Sequence, residues 1–105
     1  MTTYVISVPG TFTGGAGQGT RDELTRALRP ADPHHTHIGS EEDLDVLTVN
    51  DDDTFTVRLT VDADSGPEAE REARRLAESA LSAVGMDDRS APLGPAVITG
   101  IDSEA

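Results

Sequence analysis

The clearest pattern in the chain is an alternation of apolar and polar residues between Thr54 and Ala63. Successive side chains of a strand point to opposite faces of a sheet, so this segment predicts a β-strand with one apolar face and one polar face. Such a strand is typical of an antiparallel sheet that is covered on one side. The apolar row consists of Phe55, Val57, Leu59, Val61 and Ala63.

A second pattern has the period of a helix. Between Ser65 and Val84, apolar residues recur every three or four positions, which predicts an amphipathic helix. Ser65 can cap the first turn with its hydroxyl, and Gly85 can adopt the left-handed conformation that commonly ends a helix. The predicted inward stripe consists of Ala69, Ala73, Leu76, Ala77, Ala80, Leu81 and Val84.

Shorter signals predict a first strand and a first helix. Residues Thr3 to Val8 alternate, and Pro9-Gly10 is expected to end that strand. The segment Thr20 to Glu23 matches a capping box, so we expect the first helix to begin there. Arg29-Pro30 should end the helix, because proline disfavours helical geometry at the residue before it. The predicted inward residues are Leu24, Ala27 and Leu28.

Two more strands, Leu44 to Val49 and Ala96 to Ile101, complete the order βαββαβ, and Asn50 to Asp53 form a turn between the middle strands. This order resembles the ferredoxin-like split βαβ arrangement. It predicts an α+β fold in which two helices cover one face of a four-stranded antiparallel sheet. We expect residues 1–105 to form this single domain.

The same topology places the loops. A glycine-rich loop from Thr11 to Gly19, the turn Asn50 to Asp53 and the loop Met86 to Pro95 should share one end of the sheet. The segment Pro30 to Asp43 has no periodicity and should lie at the other end. The glycine-rich loop lacks the lysine of a phosphate-binding loop, and we expect it to be a simple connection.

Charge limits the range of partners. The chain has 20 acidic and 8 basic residues and a net charge of −12, so a nucleic acid is disfavoured, because its binding depends on Lys and Arg. The absence of cysteine excludes disulfides and thiolate chemistry. No apolar run approaches the ~20 residues that span a bilayer, so we expect no membrane association and a cytoplasmic location.

One local feature points to a metal ion. All three histidines of the chain, His34, His35 and His37, fall within four positions. Neutral imidazoles bind divalent transition metals, and Asp62 and Asp64 are expected at the same end of the domain. A metal site is therefore one hypothesis, and solvated loop histidines are the alternative. No other cofactor is indicated.

Arg58 suggests a binding site on the polar face of the strong strand. With Thr56 and Thr60 on the same face, Arg58 would bind a carboxylate or a phosphate if a second copy of the chain covered that face. The alternative is an exposed arginine that balances its acidic neighbours.

These features favour a non-enzymatic module that self-associates, as a homodimer, and binds a small ligand or a basic protein partner. The hydroxyl residues lack the signature of a nucleophilic catalyst, so no catalytic residue is predicted. Two alternatives remain. One is metal binding through the segment His34 to His37. The other is a small cofactor-free enzyme with a cleft at a dimer interface.

Overall fold

A computed structural model of the protein describes residues 2–29 and 46–102, which form an α+β fold. A four-stranded antiparallel sheet lies against two helices within the described residues. The predicted connection from Pro30 to Asp43, and the start of the second predicted strand, lie outside that part of the chain. The elements are β1 (Thr2–Thr11), α1 (Gln18–Leu28), β2 (Leu47–Val49), β3 (Thr54–Ala63), α2 (Gly66–Ala83) and β4 (Val97–Asp102).

The strands lie in the order β2-β3-β1-β4, and every neighbouring pair is antiparallel. β1 and β3 pair along their whole length, with Ser7 opposite Arg58. The register between β1 and β4 shifts by one residue between Val5 and Ile6 of β1, which marks a β-bulge. The long central pair therefore holds the sheet together, while β2 and β4 are its edges.

The alternation in β3 is confirmed, including the predicted bounds of the strand. Its apolar row is buried, and it joins the apolar residues of β1 and both helices in one core. Burial of apolar surface contributes roughly 25 cal/mol per Å², so this shared core is the main stabilising feature of the fold. The buried sheet residues in the core are Tyr4, Ile6, Val8, Phe55, Val57, Leu59, Val61 and Ala63.

Helix α2 follows the prediction closely. Ser65 is its N-cap, and the Ser65 hydroxyl accepts a hydrogen bond of 3.4 Å from the backbone N–H of Glu68. Gly85 has a φ of +82°, as expected for a glycine that ends a helix. Leu76 and Val84 are half-buried and pack against the core. The fully buried part of the stripe is Ala69, Ala73, Ala77, Ala80 and Leu81.

The prediction that Pro9-Gly10 ends the first strand is wrong. β1 continues to Thr11, and Pro9 pairs with Thr56 of β3. The carbonyl of Pro9 accepts a 2.8 Å hydrogen bond from the N–H of Gly94, on the β4 side. Backbone N–H and C=O of one strand residue face the same side, so the N–H that proline lacks would point away from β3. Proline therefore removes no bond from the β1–β3 ladder.

The predicted capping box of the first helix is also wrong. α1 begins at Gln18, and Gly17 is its N-cap without a side-chain hydrogen bond. Other contacts hold the first turn: the Arg21 side chain donates to the carbonyl of Ala16 over 3.2 Å, and its backbone N–H donates to Gly17 over 3.1 Å. Thr20 thus lies inside the helix.

The inward face of α1 is narrower than predicted. Leu24 and Leu28 are buried, whereas Ala27 is exposed. Leu24 and Leu28 are four positions apart and share a face, while Ala27 is turned about 100° from Leu28 around the helix axis and lies at the edge of that face. The predicted end before Pro30 is confirmed, since α1 ends at Leu28. Neither described helix is long and apolar enough to cross a membrane.

Candidate functional site

One face of the sheet has no described helix packed against it, and we call it the outer face. Its residues come from alternate positions of the strands, and most of them are hydroxyl residues. Arg58 is the one basic residue within the described strands. Val5 is fully buried on this face and lies outside the core cluster. The outer face includes Thr3, Val5, Ser7, Pro9, Thr11, Thr48, Thr54, Thr56, Arg58, Thr60 and Asp62.

A cleft of about 470 Å³ opens at one end of the outer face. It exists because β1 extends to Thr11 while β4 begins only at Val97. The loop before β4 lies beside the end of β1, where Gly10 and Leu93 form an isolated antiparallel bridge. The cleft is lined by Pro9, Gly10, Thr11, Asn50, Thr54, Phe55, Thr56, Pro92, Leu93 and Gly94.

Three loops meet beside the cleft, which confirms their predicted placement at one end of the sheet. The N–H of Phe12, at the start of the glycine-rich loop, donates to the carbonyl of Asp53 over 2.8 Å. The N–H of Thr13 donates to the carbonyl of Ser90 over 3.0 Å, which ties the same loop to the segment before β4. These backbone bonds hold the walls of the cleft in place.

The hydroxyls of the cleft differ in what they already bind. The Thr54 hydroxyl donates to the Asp52 carboxylate over 2.6 Å and accepts from the Asn50 side-chain amide over 3.0 Å. The bonds from the hydroxyl and the N–H of Thr54 hold the pKa of Asp52 below its ordinary value of 3.8. In contrast, the hydroxyls of Thr11 and Thr56 have no hydrogen-bond partner within residues 2–29 and 46–102. Within this part of the chain they are therefore available to a ligand.

Arg58 lies next to the cleft. Its Nη1 donates to the Thr48 hydroxyl over 2.8 Å, and Thr48 is directly opposite Thr56 in the neighbouring strand. The guanidinium is therefore directed towards the Thr48–Thr56 pair, and Thr56 lines the cleft. Thr60 is on the same face but two positions beyond Arg58, away from the cleft. The structure thus brings Arg58 and Thr56 together and leaves Thr60 apart.

Arg58 also differs from Arg74 and Arg75 of α2 in its partners. Arg75 forms an ion pair with Glu72, and Arg74 lies 3.7 Å from Glu78. No carboxylate of the described residues is within ion-pair distance of Arg58. Arg58 is half-buried and is bonded only to a neutral hydroxyl in that part of the chain.

Comparison with known proteins finds no relative of this chain. No family model matches the chain, and neither curated proteins nor solved structures contain a match. The geometry of the cleft and of the outer face is therefore the basis for a functional proposal.

The predicted metal ligands His34, His35 and His37 lie outside the described residues, so metal binding stays a prediction. Of the acidic residues expected nearby, Asp62 and Asp64 are exposed. The Thr3 hydroxyl donates to Asp62 over 2.5 Å. Among the residues that the structure describes, no three His, Asp or Glu side chains are grouped so that they could hold a metal ion.

Among the residues that line the cleft, the sequence predicted only Thr56 as a binding residue, and Pro9, Thr11 and Leu93 are among those it missed. The expected end of β1 at Pro9 hid Pro9 and Thr11. The alternation of polar residues through Thr3, Ser7 and Thr11 was the signal that could have placed Thr11 on the outer face. No comparable signal existed for Leu93, because it lines the cleft only through its bridge to the distant residue Gly10.

Proposed function

We propose that the protein is a non-enzymatic binding module, built on a ferredoxin-like split βαβ domain, which holds a small ligand in the cleft at the end of its outer face. The element order and the strand order β2-β3-β1-β4 support this architecture. The fold itself does not specify a function, so the proposal depends on the site.

The observation behind the proposal is the cleft itself. Its volume of about 470 Å³ is within the range of pockets that bind small molecules in other proteins. Its walls combine apolar surface from Pro9, Pro92 and Leu93 with hydroxyls of Thr11 and Thr56 that lack a protein partner in the described part of the chain. Apolar walls with a few polar groups are the usual composition of a ligand site.

The described walls of the cleft offer binding groups. Among the described residues, no histidine, carboxylate or basic side chain lines the cleft, so these walls supply no general acid, general base or activated nucleophile. This composition favours the non-enzymatic alternative over the cofactor-free enzyme.

Occupancy of the cleft can be tested by NMR. Hexanamide, a neutral molecule with an apolar chain, is titrated into the ¹⁵N-labelled protein. We expect saturable shifts of the backbone amides of Gly10, Thr11 and Leu93. Thr56→Phe, which fills the cleft, should abolish these shifts. Ser79→Phe is the matched control, because it adds the same ring to an exposed position of α2 and should leave them unchanged.

Both variants are first checked for a native circular dichroism spectrum, so that loss of binding is separated from loss of folding. Shifts that are absent in the wild-type protein, or that persist with Thr56→Phe, would contradict the proposal.

Self-association is the second part of the proposal, and the edge strand β4 favours it. Val97 and Ile101 are both 52% exposed, and they are the only exposed large hydrophobic residues in the described part of the chain. No described strand pairs with the outer edge of β4. Unpaired edges and exposed apolar side chains promote association of sheets.

Sedimentation equilibrium over a range of concentrations tests this part. We expect the apparent mass to rise above 11.0 kDa, the mass of one chain, at high concentration. The double substitution Val97→Asp with Ile101→Asp should keep the protein monomeric. The control Ser79→Asp with Ser82→Asp adds the same charge to exposed positions of α2. A wild-type protein that stays monomeric at millimolar concentration would exclude self-association.

A further inference from the structure

The cleft has one charged neighbour on the outer face, Arg58, and this neighbour has no acidic partner among the described residues. The guanidinium group has five N–H donors, and within the described residues only the bond to the Thr48 hydroxyl uses one of them. Removing a cation from water without a partner is unfavourable, so a half-buried arginine is normally paired.

A carboxylate fits this arrangement. Two parallel N–H donors of arginine match the two oxygens of a carboxylate, and such charge-assisted pairs are stronger than neutral hydrogen bonds. Thr56 lines the cleft and lies opposite Thr48, the hydrogen-bond partner of the guanidinium, so its hydroxyl can bind the same group. Pro9, Pro92 and Leu93 would then contact the rest of the ligand.

The charge of the protein limits how much negative charge the ligand can bring. The turn Asp51 to Asp53 adjoins the cleft, and its carboxylates are ionised at neutral pH because the ordinary pKa of Asp is about 4. Repulsion grows with each added charge, so a single carboxylate is favoured over phosphate or a dicarboxylate.

We propose that the ligand is a small organic monocarboxylate, with its apolar part in the cleft and its carboxylate on Arg58 and Thr56. This inference rests on the proposed ligand-binding function of the cleft. It extends that function by naming the charged group of the ligand and the side chain that selects it.

The experiment compares two probes that differ only in charge, hexanoate and hexanamide, with the full-length protein at pH 7. Dissociation constants come from NMR titration of the cleft amides. Because a charge-assisted bond replaces a neutral one, hexanoate should bind about tenfold more tightly than hexanamide, or better. Inorganic phosphate at the same concentration should leave the cleft signals unchanged.

Two arginine variants locate the selectivity. In Arg58→Gln the preference for hexanoate should disappear, while hexanamide should bind as in the wild-type protein. Arg71→Gln is the control, because it removes one positive charge from an exposed position of α2 and should keep the preference. This control separates a direct contact from the effect of net charge.

The outcomes distinguish the two proposals. If both probes bind equally and Arg58→Gln changes neither, the cleft is a ligand site and the carboxylate inference is wrong. If phosphate competes with hexanoate, the assignment to a monocarboxylate is wrong. If neither probe shifts the cleft amides, both the proposed function and this inference fail.

Discussion

A glycine in the middle of the sheet provides the sharpest test of the packing. Gly10 of β1 lies directly opposite Phe55 of β3, and the ring of Phe55 covers the glycine. A Cβ atom added at Gly10 would lie 2.3 Å from Cζ of Phe55 and 2.8 Å from each Cε. The ring cannot move aside easily, because it is 1% exposed and stacks on Phe12 with a centroid distance of 4.3 Å. We therefore expect Gly10→Ala to destabilise the protein.

The size of the effect follows from two opposing contributions. Overpacking a core costs about 1–3 kcal/mol, while replacing glycine by alanine recovers about 0.4–1 kcal/mol through the lower entropy of the unfolded chain. Because the ring is locked between Phe12 and β1, the cost lies at the upper end of its range, which leaves a net loss of about 2 kcal/mol. For a domain of this size, that loss lowers Tm by about 8–16 °C.

Chemical denaturation followed by circular dichroism gives the free energy of unfolding. Gly19→Ala is the matched control: no atom lies within 4 Å of its added Cβ, and Gly19 is inside α1. It should stabilise the protein by about 0.5–1 kcal/mol. In a Phe55→Leu background the cost of Gly10→Ala should fall by more than half, because Leu lacks the clashing Cζ. A Gly10→Ala protein as stable as the wild type would refute this reasoning.

Two further predictions concern a helix end and acid stability. Ser65→Ala should lower the free energy of unfolding by about 0.5–1 kcal/mol, since it removes the N-cap of α2; urea denaturation measures this, and an unchanged value would contradict the cap. Hydrogen bonds from the N–H groups of Ser90 and Arg89 lower the pKa of Asp87 below 3.8. A carboxyl whose folded pKa is lowered stabilises the fold above the unfolded pKa, and this stabilisation is lost as pH falls through the folded pKa. Between pH 5 and pH 2, Asp87→Asn should therefore lose less stability than the wild type in thermal melts, and equal losses would argue against the contribution of Asp87.

The sequence determined the elements that have a strong period and clear end signals. The alternation in β3 fixed both the bounds of the strand and its buried face, and Ser65 and Gly85 marked the ends of α2. These features are local, because the side-chain period and the cap depend on residues only a few positions apart. Local signals failed at Pro9, because pairing with the distant strand β3 extends β1 beyond it. They also failed at Thr20, because α1 begins earlier, at Gln18, where Arg21 bonds to Ala16 and Gly17.

The candidate site likewise combines features that the sequence predicts with features that only the tertiary structure shows. The alternation placed Thr56 and Arg58 on one face of a strand, but it could not show that Arg58 leans towards Thr48. The cleft required the tertiary structure, because its walls come from strand ends and loops that are far apart in the chain. The point at which β4 stops pairing with β1 depends on the packing of the whole sheet. No periodic pattern in the residues near Leu93 indicates it. The sequence alone therefore determined which side chains share a face, and the fold decided which of them surround a cleft.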